Sequence, residues 1–276
     1  MIELTDAMHV AREWVVEQLR FPQRAPRTTA VIAWSHVSAT TQSAVAGLSN
    51  VILDPNELVA QPSWRRRITG RPRGYPQLTT GQRAELQQAH TSLHWPLREE
   101  GPEIRLVAVA EDVVARIVSH PAWKHPLLDG HRTVLGFTIE LHLVAAAAHD
   151  LFSLRANTPA VPDNDITDNL ARARAEWERR QVVAAKAEAG LIDRVAALRA
   201  YEAALTPIAT SVHNLHAVTE MATGGADVDR LYEDIVGAEY SVERTSALRN
   251  DIDDIRAALE AQVAYLDSLI GPHRHA

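Results

Sequence analysis

The sequence predicts an all-α protein, a helical bundle followed by a long, coiled-coil-like antiparallel helical hairpin. Apolar residues recur at steps of three and four along most of the 276 residues, which is the spacing of amphipathic helices. Proline and glycine fall between these periodic segments, where helices end. Only the start of segment 28–53 has the β-branched composition of a strand, and no second segment of that kind offers it a partner. We therefore assign 28–53 to a helix.

A bundle of five helices is predicted for residues 1–158. Thr5 and Asp6 are candidate N-caps of the first helix, and Pro22 ends it. The fifth helix is apolar on nearly all sides, which is typical of a helix at the centre of a bundle. Segment 54–78 is predicted to be a long basic loop between the second and third helices. The predicted helices cover 7–19, 28–53, 80–93, 102–117 and 131–154.

The helical hairpin is predicted for residues 163–271, after a proline-containing boundary near residue 160. Its first arm reaches Thr223, with interruptions at Gly190 and Pro207. Gly224-Gly225 predicts the turn between the arms. The second arm begins at Asp227, and its length of about 44 residues corresponds to a helix of roughly 65 Å.

The second arm carries a single apolar stripe, which we call the C-terminal stripe. A helix with one apolar face must cover that face, either with its own chain or with another molecule. We therefore expect a homo-oligomer, with a dimer as the simplest case, or a helical protein partner. The stripe consists of Val228, Leu231, Ile235, Ala238, Val242, Leu248, Ile252, Ile255, Leu259, Val263, Leu266 and Ile270, and the candidate interface residues are Ile235, Val242, Leu248, Ile252, Ile255 and Leu259.

The composition excludes several classes of site. The chain has no cysteine, so it has no disulfide, no thiolate nucleophile and no cysteine-ligated metal. The N-terminus lacks the basic and apolar regions of a signal peptide. The most apolar window, 134–148, contains Glu140 and His142 and is too short to span a bilayer. We expect a cytoplasmic protein without a membrane segment.

The charge is unevenly distributed along the chain. The formal net charge is −7; residues 1–160 carry 16 basic and 15 acidic side chains, whereas residues 161–276 carry 12 basic and 20 acidic ones. Because acidic surfaces repel phosphate, the hairpin half is a poor candidate for binding nucleic acid.

The predicted basic loop is the one candidate for binding nucleic acid. Five arginines stand within nine residues without an acidic residue among them. The segment Gly70-Arg71-Pro72 with its basic flanks resembles the core of an AT-hook, an extended arginine-proline segment that lies in the minor groove of A·T-rich DNA. The family has arginine where this chain has Thr69. A narrow minor groove concentrates negative potential and attracts inserted arginine, whereas the alternative is a solvated or internally paired loop. The candidate residues are Arg65, Arg66, Arg67, Arg71 and Arg73.

The 13 histidines suggest a metal site as a further alternative. His90 and His94, and likewise His213 and His216, have the spacing at which one helix face presents two ligands. Glu140, His142 and His149 share the fifth predicted helix and are the candidate ligands of a site in the bundle. The alternative is that these histidines are surface residues or hydrogen-bonded core residues.

No sequence signature of nucleotide binding, acyl transfer or kinase activity is present. We therefore name no catalytic residue and no cofactor. The leading interpretation is a non-catalytic interaction or assembly protein that acts through the hairpin. The alternatives are a nucleic-acid-associated accessory protein that uses the arginine loop, and a metal-dependent helical enzyme.

Overall fold

The computed structural model describes residues 2–48, 51–59, 78–93, 95, 101–160 and 168–236, and the single positions 257, 260, 261 and 264. These residues are mostly helical, which confirms the predicted all-α class. The helices are α1 (Ile2–Gln18), α2 (Ala39–Ala46), α3 (Pro55–Val59), α4 (Thr80–Gln88), α5 (Pro102–Ser119), α6 (Asp129–Leu135), α7 (Phe137–Ala156) and α8 (Asp168–Val236). Three short 3₁₀ helices lie at Trp34–His36, Pro121–Lys124 and Pro126–Leu128.

The predicted helix over 28–53 is wrong in its first part. Strand β1 (Ala30–Ile32) pairs antiparallel with β2 (His90–Ser92), and Val31 lies opposite Thr91. The partner strand is polar and only three residues long, so its sequence does not identify it as a strand. It forms directly after α4 ends, inside the predicted helix 80–93. Within the later part of 28–53 the prediction is confirmed only for α2 (Ala39–Ala46), because the described residues 47, 48 and 51–53 are not helical.

Residues around this sheet form their own apolar cluster, which we call the small core. Its members come from segments between positions 32 and 89, and Ile139 and Leu143 of α7 pack against it from outside that range. The small core consists of Ile32, Trp34, Val37, Val45, Ile52, Leu58, Leu78, Leu86 and Ala89.

The predicted core helix 131–154 is divided in two at Gly136. This glycine has φ +43°, a left-handed conformation that an L side chain rarely adopts, and a Cβ there would lie 3.1 Å from that of Ala46. The part after the glycine, α7, is a core helix as predicted, because Val144, Ala145 and Ala148 have no exposed surface. Length and composition would also allow α7 to cross a membrane, but the core helix of a soluble protein meets the same criterion.

Helix α8 is continuous for 69 residues. The predicted turn at Gly224-Gly225 is therefore wrong, and neither Gly190 nor Pro207 ends the helix. A glycine inside a helix costs only about 1 kcal/mol and a proline about 3 kcal/mol, amounts that packing can offset. Tyr201, Leu205 and Ile208, next to the proline, are all buried. The chain beyond Val236 has only four described positions, so the antiparallel hairpin stays a prediction.

The chain divides into two compact units. Unit 1 comprises residues 1–118 and 130–200, and unit 2 comprises 119–129 and 201–276. In unit 2, Trp123 packs edge-on against Tyr201, with ring centroids 6.1 Å apart. The predicted division into 1–158 and 163–271 is a different one, and it stays a prediction about which parts fold independently.

Candidate functional site

The five arginines of the predicted basic loop 54–78 lie outside the described residues, and the loop prediction is wrong at its start, because Pro55–Val59 form α3. Arg65, Arg66, Arg67, Arg71 and Arg73 all fall between positions 60 and 77. Their role in binding nucleic acid therefore stays a prediction from sequence.

Glu140, the first candidate metal ligand, forms an ion pair between α7 and α8. Arg194 Nη2 donates to Glu140 Oε2 at 2.8 Å, and Arg194 Nε donates to Glu140 Oε1. This bidentate hydrogen bonding raises the pKa of Arg194 against the effect of its burial. The carboxylate thus holds α8 against α7.

His142 lies two residues further along α7 and faces the small core. Its side chain has no exposed surface, its ring stacks on Trp34 with centroids 5.8 Å apart, and its Nε2 is 3.3 Å from the Leu53 carbonyl oxygen. Burial lowers the pKa of His142 to about 4, because desolvation disfavours the charged imidazolium. The residue is a neutral core histidine at pH 7.

His149, further along α7, packs against a different residue, Trp95. Its ring lies edge-on to Trp95 at a centroid distance of 5.3 Å, and the Trp95 Nε1–H donates to the Thr28 carbonyl oxygen at 3.1 Å. Glu140, His142 and His149 are therefore not brought together. Within the part of the chain that the structure describes, no group of three histidine, aspartate or glutamate side chains could hold a metal ion.

The other two histidine pairs lie in different settings. His90 lies in strand β2, whereas His94 lies outside the described residues. His213 and His216 are exposed on α8, and His216 Nδ1 lies 3.4 Å from a carboxylate oxygen of Glu220.

A buried carboxylate on α5 is an important polar group that the sequence analysis missed. The Glu111 side chain has no exposed surface, and it accepts hydrogen bonds from the backbone N–H of Arg27 and from the backbone N–H and hydroxyl of Thr28, each at 2.9 Å. Arg24 Nη1 donates to its second oxygen at 2.6 Å and Arg24 Nη2 to Asp112 at 2.8 Å. Glu111 thus anchors the segment that leads into β1. Its spacing, four residues after Val107 and three before Val114, places it on the apolar face of α5, and that is the signal by which the sequence could have identified it.

Polar and aromatic contacts fix the first part of α8 within unit 1. Arg155 of α7 donates to Glu188 of α8 at 2.7 Å and also to the buried Glu103 of α5. The Trp14 ring of α1 has two guanidinium groups nearby, that of Arg199 at 4.8 Å and that of Arg116 at 5.4 Å from its centroid. These contacts make residues 184–200 part of a folded core rather than a free arm.

A shallow groove lies between the residues after α7 and the first turns of α8. Its volume is about 210 Å³, and its wall includes Trp177 and an ion pair between Arg180 and Glu176 at 3.2 Å. It is smaller than the roughly 300–1,000 Å³ typical of small-molecule sites. The remaining lining residues are Thr158, Pro159, Ala160 and Ala173.

The candidate interface residues are described only in part. Ile235 lies in the last turn of α8, whereas Val242, Leu248, Ile252, Ile255 and Leu259 lie outside the described residues. Between and beyond them, Ala257, Glu260, Ala261 and Ala264 are helical and exposed.

Comparison of the chain with protein-family models, with curated proteins and with solved structures gives no match.

Proposed function

We propose that the protein is a non-catalytic α-helical interaction or assembly protein that self-associates, or binds a helical partner, through the C-terminal stripe. The observation that carries the proposal is the exposure of Ala257, Glu260, Ala261 and Ala264. In a helical projection drawn from the sequence at 100° per residue, these four positions fall opposite Ile252, Ile255 and Leu259. An exposed polar and alanine face on one side leaves the apolar face for contact with another surface.

The length of α8 supports the same proposal. Because the helix continues to Val236, the first three positions of the stripe, Val228, Leu231 and Ile235, lie on one uninterrupted helix. Their spacing of three and four residues places them on one face. A face of this kind is the usual element of helix–helix association.

The charge of this region indicates the chemistry of the contact. Residues 201–276 contain 13 acidic and 5 basic side chains. A heterologous partner helix would therefore carry basic residues beside its apolar face. Self-association would bring like charges together, so added salt should strengthen it by screening their repulsion.

Light scattering on the full chain tests the proposal. We expect a species heavier than one chain, and we expect the double substitution Ile252→Asp and Ile255→Asp to reduce its mass to that of one chain. Ala257→Asp and Ala261→Asp form the matched control, because they add the same charge to the exposed face. They should leave the mass unchanged.

Two results would contradict self-association. One is a wild-type chain that is monomeric at all salt concentrations, with no mass change in either double variant. The other is equal dissociation in both double variants, which would show that added charge, and not the apolar face, controls assembly.

A further inference from the structure

Two side chains of α7 hold the segment that precedes α3. Thr138 Oγ1 accepts a hydrogen bond from the Ile52 backbone N–H at 3.0 Å, and His142 Nε2 lies 3.3 Å from the Leu53 carbonyl oxygen. Thr138 and His142 are one helical turn apart and both are buried. Because a carbonyl oxygen only accepts, Nε2 carries the imidazole proton and Nδ1 carries none.

The nitrogen on the other side of the His142 ring has no hydrogen-bond partner among the described residues, although the backbone of Leu53 and Ile52 favours the charged ring. Nδ1 is buried and has no hydrogen-bond partner, and the same holds for Trp34 Nε1 and His90 Nε2, as far as the described residues show. An imidazolium at this position would bury an N–H group without a partner. Burial of such an unsatisfied N–H group is unfavourable, and more so when the group is charged.

The titratable groups that face His142 act in opposite directions. His90 on β2 disfavours the imidazolium, whereas Asp54 favours it. Helix α2, which packs on α7, has no titratable side chain between Ala39 and Ala46. Burial has the largest effect, so the folded protein keeps the ring neutral.

We propose that this contact is an acid-sensitive latch, in which protonation of His142 releases residues 51–59 from α7 while α5 stays folded. Release can be local because the nine residues of the small core lie between positions 32 and 89, and α7 contacts them through Ile139, Leu143 and the His142 ring as well as the two hydrogen bonds.

The sign of the pH dependence follows from the two protonation states. The latched pKa of His142 is about 4, and release returns it to the ordinary value of about 6.5. The latch is therefore fully stable above pH 6.5 and is weakened as the pH falls towards 4. The equilibrium constant for release should rise by up to about 300-fold once the pH is well below 4, and by about 60-fold between pH 7 and pH 4.5.

Hydrogen exchange of the full chain, measured by mass spectrometry and corrected for the pH dependence of the chemical step, tests the latch. Between pH 7 and pH 4.5, the protection factors of backbone amides in 51–59 should fall by about 60-fold, while those of Val107 and Val113 of α5 should not change. His142→Gln should remove the response, because a neutral amide can still donate to Leu53 but does not take up a proton. His149→Gln, seven residues further along α7, should respond as the wild type does.

Loss of protection in α5 at the same pH as in 51–59, or an unchanged response in His142→Gln, would overturn the latch. His90→Gln gives a second test if His142→Gln does not fold. Without His90 the pKa of latched His142 rises, so the acid response should shrink. An equal or larger response in His90→Gln would also overturn the proposal.

Discussion

At the scale of single residues, the decisive polar groups are those whose partners lie far away in sequence. Arg24 and Glu111 are 87 residues apart, and Glu140 and Arg194 are 54 apart. The sequence could identify Glu140 and His142 as unusual polar residues in an apolar helix. It could not show that one meets an arginine of α8 and the other a tryptophan ring, because spacing along one helix carries no information about distant segments.

Glu111 is expected to be among the most sensitive positions in unit 1. Glu111→Gln removes the negative charge that faces Arg24 and places an amide N–H against donors from Arg27 and Thr28. Removing one partner of a buried ion pair typically costs about 3–5 kcal/mol. Urea denaturation should show a decrease of this size in the free energy of unfolding.

Asp112→Asn is the matched control for this substitution. Asp112 binds the same arginine, but 42% of its side chain is exposed. Exposed pairs contribute roughly 1 kcal/mol or less, so the control should be much milder. Similar losses in both variants would show that Glu111 has no special role as an anchor.

At the scale of elements, the periodicity of apolar residues identified the long helices, but it did not identify the elements that form only through tertiary contacts. Helix α5 follows its predicted range, and α7 follows the later part of the predicted helix 131–154, because their apolar residues keep helical spacing over four turns or more. Strands β1 and β2 are three residues each, too short for any pattern, and exist through pairing across 60 positions. Gly224-Gly225 predicted a turn, yet local propensity is a weak signal inside a helix of 69 residues.

The predicted basic loop 54–78 gives a testable prediction at the scale of a single element. If its arginines bind duplex DNA, the logarithm of the affinity should fall linearly with the logarithm of the salt concentration, with a slope of about 0.9 for each phosphate contacted. Arg65→Ala, Arg66→Ala and Arg67→Ala together should weaken binding and reduce that slope. Fluorescence anisotropy with an A·T-rich duplex, measured between low and physiological salt, reports both quantities.

Three exposed basic residues of α8 provide the control for the triple variant. Arg172, Arg174 and Lys186 carry the same total charge and lie on a described, exposed helical surface. Their replacement by alanine should affect binding little. Binding that is independent of salt, or equally weakened in both triple variants, would remove the loop from the DNA hypothesis.

At the scale of the whole molecule, two divisions of the chain are compared: the predicted boundary near residue 160 and the observed division into units at residue 200. They lead to opposite expectations for a fragment that ends at residue 158. In the folded chain, Leu191, Val195 and Leu198 of α8 are buried, and each contributes roughly 1.5–3 kcal/mol by its burial. Together these contributions are comparable to the entire stability of a typical domain, about 5–15 kcal/mol. Fragment 1–158 should therefore not unfold cooperatively, whereas fragment 1–210, which retains these residues and the buried Tyr201, Leu205 and Ile208, should.

Thermal unfolding of the two fragments, followed by circular dichroism, shows which of them unfolds cooperatively. Light scattering on the same fragments shows whether they self-associate. Fragment 1–210 lacks the entire C-terminal stripe, so it should be folded and monomeric under conditions in which the full chain self-associates. If fragment 1–158 melts as cooperatively as 1–210, the first part of α8 is dispensable for folding and the boundary near residue 160 is the true one. If fragment 1–210 is folded yet forms an assembly with the same number of chains as the full protein, the contact between copies lies within residues 1–210. The stripe must then be covered within its own chain.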